Sequence, residues 1–240
     1  MAIDLNDKTA NGNNLTNNGA AEVAGLFSPS STAVDLESTE TDYLYAADST
    51  SLSITGDLSI ESYVNFESTP ASGARMAMVC KYRDDTANRS YWFGLFNNGG
   101  TLQLEFIISN DGTATESAAV NWTPTAGTSY HVAVTLTAAT RIVKFYVDGT
   151  QQGADQTLAS FTSIFDSTTR LSIGAQTTEG TPANLLDGKA DEVRIWNDVR
   201  TAGEISGNKD SELNGSEANL VAYWPFESDL GANKSYGFFM

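Results

Sequence analysis

The sequence predicts an all-β protein built as a two-sheet antiparallel sandwich. Apolar and polar residues alternate along most of its 240 positions, the period of strands with one buried face. Gly, Asn, Asp, Ser and Thr crowd the short stretches between those runs, as turns require. About a dozen runs follow one another with no linker, repeat or low-complexity segment to split the chain, so residues 1–240 read as one domain.

The elements follow in order. "LSIESYVNF" (58–66) places Leu58, Ile60, Ser62, Val64 and Phe66 on one side, and Glu61, Tyr63 and Asn65 on the other. "RMAMVCKY" is an apolar run in which Cys80, the single cysteine, reads as a small core residue. In "YWFGLFNNGGTLQLEFII" the Asn98-Gly99 pair signals a type I′ hairpin that would pair Phe96 with Thr101 and Leu95 with Leu102. Tyr91, Phe93 and Leu95 then share a core face with Leu102, Leu104 and Phe106. Trp92, Gly94 and Phe96 share the opposite face with Thr101, Gln103 and Glu105. "SYHVAVTLT" is a further strand, and "RIVKFYVDGTQQG" is a second hairpin turning at Asp148-Gly149. "TRLSIGAQ" and "GKADEVRIW" come next, then a short helix in "VRTAGEISGN", where Thr201 caps and Glu204 stands three residues on. The final strand is "LVAYWPFES" (220–228), with residues 229–240 as a tail.

Charge excludes several partners. Asp and Glu number 30 against 13 Lys and Arg, a formal net charge of −17, which repels phosphate backbones and anionic lipid. Nucleic-acid and membrane roles are not expected, and acidic polysaccharides are disfavoured unless a cation intervenes. A single cysteine excludes an intrachain disulfide and a cysteine-based zinc cluster. The opening residues lack a basic and apolar leader, and no apolar run approaches the roughly 18 residues of a membrane span. The expectation is an extracellular or virion-surface protein with no signal peptide.

Several segments together resemble the laminin G-like jelly roll of the concanavalin A-like lectin and glucanase superfamily: residues 58–66, 127–137, 143–153, 170–175 and 185–205. The run "GKADEVRIW" followed by a short helix is the most specific of them. The resemblance implies a jelly-roll sandwich of two antiparallel sheets, one of them concave. It also implies a permuted first strand, since relatives commonly begin with a "YWPF"-like strand that here closes the chain, while the loop that follows it there, Asp7–Gly19, opens it.

Retaining glucanases of that superfamily carry Glu-x-Asp-x-x-Glu on one strand, which aims an acid and a nucleophile into the concave face. No such run occurs in this sequence, nor any G-x-S-x-G, and His131 reads as a sheet residue, so no catalytic residue is assigned. The expected activity is binding of neutral glycans, without catalysis. Trp92 and Phe96 beside Gln103 and Glu105 would form a stacking platform with lateral hydrogen-bonding groups. Arg89 and Trp122 are further candidates. The alternative for Trp92 is packing under a loop or against another subunit.

The resemblance also implies one structural Ca²⁺, for which Asp7, Asn11, Asn13, Asp191 and Glu227 are candidate oxygen ligands. The competing reading of Asp7, Asn11 and Asn13 is plain turn chemistry. A different class of function stays open: a structural or adhesive subunit of a virion or appendage. Its partner would be a neighbouring copy, engaged by the final strand or by the apolar tail with Tyr236, Phe238 and Phe239.

Overall fold

The computed structural model describes residues 3–30, 32–84, 87–178 and 181–227. Two antiparallel sheets face each other, as expected. The first runs β1 (Leu15–Asn18), β4 (Tyr43–Ala46), β13 (Leu171–Ile173), β6 (Arg75–Arg83), β7 (Asn88–Asn98), β8 (Thr101–Ser109) and β9 (Thr115–Asn121). The second has eight strands: β12 (Thr150–Thr157), β11 (Ile142–Val147), β10 (Ser129–Thr137), β5 (Leu58–Phe66), β16 (Gly188–Trp196), β3 (Thr32–Leu36) and β2 (Ala21–Ala24) in order, with the final strand beside β16. A small hairpin, β14 (Gln176–Thr178) with β15 (Thr181–Ala183), stands apart from both.

The core lies between the inner faces that the alternation predicts. Leu58, Ile60, Val64 and Phe66 of β5 meet Tyr91, Phe93 and Leu95 of β7 and Leu104, Phe106 and Ile108 of β8 in one buried cluster. The Asp148-Gly149 turn forms as expected, with Val147 opposite Thr150 and positive φ at both turn residues.

The β7–β8 hairpin differs from its expected register. Its turn is Gly99-Gly100, both with positive φ, and Asn98 faces Thr101 while Phe96 faces Gln103. Two glycines supply the positive φ of the turn without the cost that asparagine pays, and the Asn97 side chain accepts a hydrogen bond from Gly100 N at 2.7 Å. The slip is two residues on one strand. Facing residues therefore keep their side of the sheet.

Helix α1 (Ala202–Asn208) carries the expected capping box between Thr201 and Glu204. Its Ile205 packs on Ala133 and Tyr146, against the outer face of the eight-stranded sheet. That side of the sheet is thus covered, and several polar groups are buried beneath it. Glu192 pairs with Arg194 at 2.6 Å and accepts from Tyr223 Oη at 2.9 Å, and His131 Nε2 lies 3.3 Å from Glu61. His131 is a buried sheet residue. Cys80 is buried too, and burial pushes its thiol up to about 12.

The final strand, β17 (Leu220–Trp224), inserts into this same sandwich. It pairs with the Val193–Trp196 end of β16, while β3 takes the Gly188–Ala190 end along the same edge. The N-terminal loop lies against it: Lys8 N donates to Tyr223 O at 2.9 Å, and Trp224 Nε1 donates to Asn13 O at 3.0 Å. Residues 228–240, including the apolar tail, lie outside the described residues.

Candidate functional site

Pairing across four strands sets up one row on the outer face of the seven-stranded sheet: Arg75, Phe96, Gln103 and Asn121. Period-two geometry puts all four on the same side. Arg75 holds its guanidinium 4.0 Å from the centre of the half-buried Phe96 ring. Gln103 Nε2 donates to Asn121 Oδ1 at 2.9 Å. Glu105 is buried behind the row and makes a two-point ion pair with Arg75, at 2.6 and 3.1 Å. That pairing raises Arg75 above its usual value, the hydrogen bond to Glu105 being the main cause.

Phe96 and Gln103 are therefore brought side by side, whereas Glu105 shares their face but is buried and taken up by Arg75. Trp92 is not the exposed platform that its face suggested. It lies on the non-core side, yet it is fully buried with Ala77, Cys80 and Tyr82, and Ile107 packs against it. The chain leaving β13 passes over this region, where Ala175 O accepts from Cys80 Sγ at 3.2 Å. Loop packing, the alternative reading, is what the structure adopts. Trp92→Ala is accordingly expected to lower stability by about 3 kcal/mol, as cavity formation at a buried tryptophan does. Thermal or urea unfolding checks this; an unchanged midpoint would mean that the ring is exposed.

Two other candidates lie away from the row. Arg89 sits at the opposite end of β7, paired with Asp84 at 3.0 Å and donating to Thr113 O. Trp122 is half-buried at the end of the sandwich, its ring 5.2 Å from Tyr130 and 6.1 Å from Phe66. There it meets both rings edge-on.

The five candidate metal ligands divide into two groups. Asp7, Asn11 and Asn13 clasp the final strand. Asp7 accepts from Thr9 N, Asn13 N and Tyr223 N, while Asn11 and Asn13 donate to Val221 O at 2.8 and 3.2 Å. They bind their own loop and the backbone of the final strand.

Asp191 and Glu227 do meet. The Ser30 hydroxyl lies 2.7 Å from Asp191, 3.1 Å from Glu227 and 3.2 Å from Thr32 O, so its one hydrogen is shared among these acceptors. Asp191 also accepts from Leu26 N and Glu192 N, but no basic side chain among the described residues pairs with it. Burial, with repulsion from Glu192, pushes its carboxyl up to about 8. Two backbone N–H groups already bind Asp191, and the oxygens left to offer a hard cation such as Ca²⁺ are its carboxylate, that of Glu227 and the Ser30 hydroxyl. Ser30 escaped the sequence reading because a lone serine in a loop carries no signal of its own.

A second acidic group, Asp35, Glu37 and Glu67, places its oxygens within 4.8 Å of one another and could hold an ion. Lys189 already pairs with Asp35 and Glu67 there, which supplies much of the charge that a cation would bring. A cleft of about 500 Å³ opens at the sandwich edge beside Val221, lined by Asn11, Ser51, Thr55, Asn197 and Asn219. Its walls offer amides and hydroxyls and no aromatic ring.

Solved structures share this architecture. The binding domain of Paraclostridial Mosquitocidal Protein 1 is 12% identical with a TM-score of 0.64, over 86% of this chain and 51% of that one. This chain thus spans about half the length of that protein. Domain 4 of AbnA, a GH43 extracellular arabinanase from Geobacillus stearothermophilus solved with arabinotriose, is 18% identical with a TM-score of 0.61, over 85% of this chain and 92% of that one. Full-length tailspike protein 2 from an Escherichia coli O157:H7 bacteriophage is 14% identical with a TM-score of 0.61, over 95% of this chain and 30% of that one. Among curated proteins, none matches. At these identities the likeness shows the shared fold. Family membership rests on residues 38–206, which match the family model of that same architecture: the chain belongs to the concanavalin A-like lectin/glucanases superfamily.

Proposed function

We propose that the chain is a non-catalytic carbohydrate-binding module that takes neutral glycans on the outer face of its seven-stranded sheet. The observation that carries this reading is the row Arg75–Phe96–Gln103–Asn121, a half-buried aromatic ring with a guanidinium on one side and two amides on the other at one register. A sugar ring packs its CH face on such a surface and pairs its hydroxyls with the amides. Glu105, the buried carboxylate behind the row, is committed to Arg75, which leaves it unsuited to acid or base work. Solved neighbours support the reading: the arabinanase domain was solved with arabinotriose, and the others are a toxin's binding domain and a tailspike. Action at a cell or virion surface fits that company. No described helix is long and apolar enough to cross a membrane.

Asp191, Glu227 and the Ser30 hydroxyl would hold a calcium ion. The ion would neutralise buried charge and tie the loop at Leu26 and Ser30 to β16 and to the end of the final strand.

The test is titration calorimetry with neutral oligosaccharides, arabinotriose and cello-oligosaccharides among them. Phe96→Ala and Gln103→Ala are each expected to weaken binding several-fold, about 1 kcal/mol, with Gln103→Ala leaving the melting temperature in place. Wild type that binds no neutral glycan, yet self-associates in light scattering, would instead make the chain a structural subunit.

A further inference from the structure

A second pocket, of about 340 Å³, opens at the other end of the seven-stranded sheet between Asp48, Arg83, Asn88, Thr168, Arg170 and Thr177. Its size is at the lower end of small-ligand sites, which run to about 1,000 Å³. Two of its walls are guanidinium groups, in a chain with 30 acidic and 13 basic residues. Arg83 and Asp48 already have partners, so Arg170 is the guanidinium that matters there.

Arg170 is the informative residue. Its guanidinium carbon lies 4.5 Å from the centre of the Tyr45 ring and 5.8 Å from that of Tyr43, and its Nε donates to Thr177 Oγ1 at 3.3 Å. Two rings and a hydroxyl therefore set its position before any ligand arrives. Yet no carboxylate among the described residues pairs with it. Nearby acids among the described residues are engaged elsewhere. Asp48 pairs at 2.8 Å with Lys81, a fully buried lysine that also donates to Ser167 O, and Asp84 pairs with Arg89 at 3.0 Å. Asn88, Thr168 and Thr177 add amide and hydroxyl groups around the same space.

We propose that this pocket binds the carboxylate of an acidic saccharide, a uronate, with Arg170 as the group that pairs with it. The inference rests on the saccharide-binding reading above and extends it to a second ligand class at a second place. A fixed guanidinium offers a carboxylate two parallel hydrogen bonds, and the hydroxyls and amide suit the sugar's remaining oxygens. Net charge does not oppose this at contact range. Charges beyond about 8 Å are largely screened at physiological salt, whereas a paired carboxylate at Arg170 is not.

The experiment compares trigalacturonate with its methyl ester, the same sugar frame without the charge, by calorimetry at physiological salt. Wild type is expected to bind the acid about ten-fold more tightly than the ester. Arg170→Gln is expected to erase that difference, and Arg170→Lys, which keeps the charge but loses the fork, to retain part of it. Arg141→Gln removes an equal charge from an exposed arginine that also has no carboxylate partner among the described residues, and it is expected to change nothing. Should Arg170→Gln fail to fold, Arg170→Lys decides: affinity equal to wild type would overturn the proposal. Equal losses in Arg141→Gln and Arg170→Gln would also overturn it, by reducing the effect to net charge. Wild type that binds neutral glycans through Gln103 but treats acid and ester alike sinks this inference alone. Wild type that binds no saccharide sinks both readings.

Discussion

A chain ending at Asn219 is expected to be insoluble. The lost strand supplies Val221, Ala222 and Trp224 to the central cluster, with Trp224 fully buried. Its removal opens the Val193–Trp196 edge of β16 and leaves Asp7, Asn11 and Asn13 without the backbone groups that they bind. Unpaired edges beside exposed apolar surface invite association. Natural domains hold only about 5–15 kcal/mol in reserve, and a strand of this burial exceeds what that margin tolerates. Trp224→Ala isolates one part of the effect and should cost about 3–5 kcal/mol, measured by urea unfolding. A soluble, cooperatively folding chain ending at Asn219 would show that the strand is an accessory rather than a component of the sandwich.

The second large effect is expected at Asp191, through pH and calcium. Its carboxyl titrates near 3.8 when unfolded and is pushed up to about 8 by burial in the folded chain. Between those values the native state binds more protons than the unfolded state. In EDTA, stability should therefore fall as pH rises from about 4 to about 8, with a span on the order of 5 kcal/mol as an upper bound. Excess calcium should remove the slope and raise the melting temperature, because an ion that binds only the native state stabilises it by mass action. Asp191→Asn, which stays uncharged, should show neither the slope nor the calcium response. If the wild-type melting temperature at pH 8 is the same in calcium and EDTA, no ion is held between Asp191 and Glu227.

Alternation in the sequence was enough to assign faces, and the β7–β8 hairpin shows why. Its turn moved from Asn98-Gly99 to Gly99-Gly100, and the pairing slipped by two residues, yet every side chain kept its side. Side-chain direction in a strand repeats every two residues, so an even slip is invisible to it. The capping box at Thr201, the Asp148-Gly149 turn and the core role of residues 58–66 are local in the same sense. Each depends on neighbours within a few positions.

Exposure and partnership were decided only by the tertiary structure. Trp92 was placed on the correct face, but whether that face meets solvent depended on a segment more than eighty positions downstream, around Ala175. Asp191 was singled out, but its partner Ser30 lies 161 positions away and Glu227 comes from the far end of the final strand. In the sequence Arg170 only opens a strand of the family pattern, since its significance is the company of Tyr43, Tyr45 and Thr177 and the lack of a carboxylate partner among the described residues. A side chain's direction is set by its own backbone, whereas its burial and its charge balance are set by whatever the rest of the chain brings within a few ångströms of it.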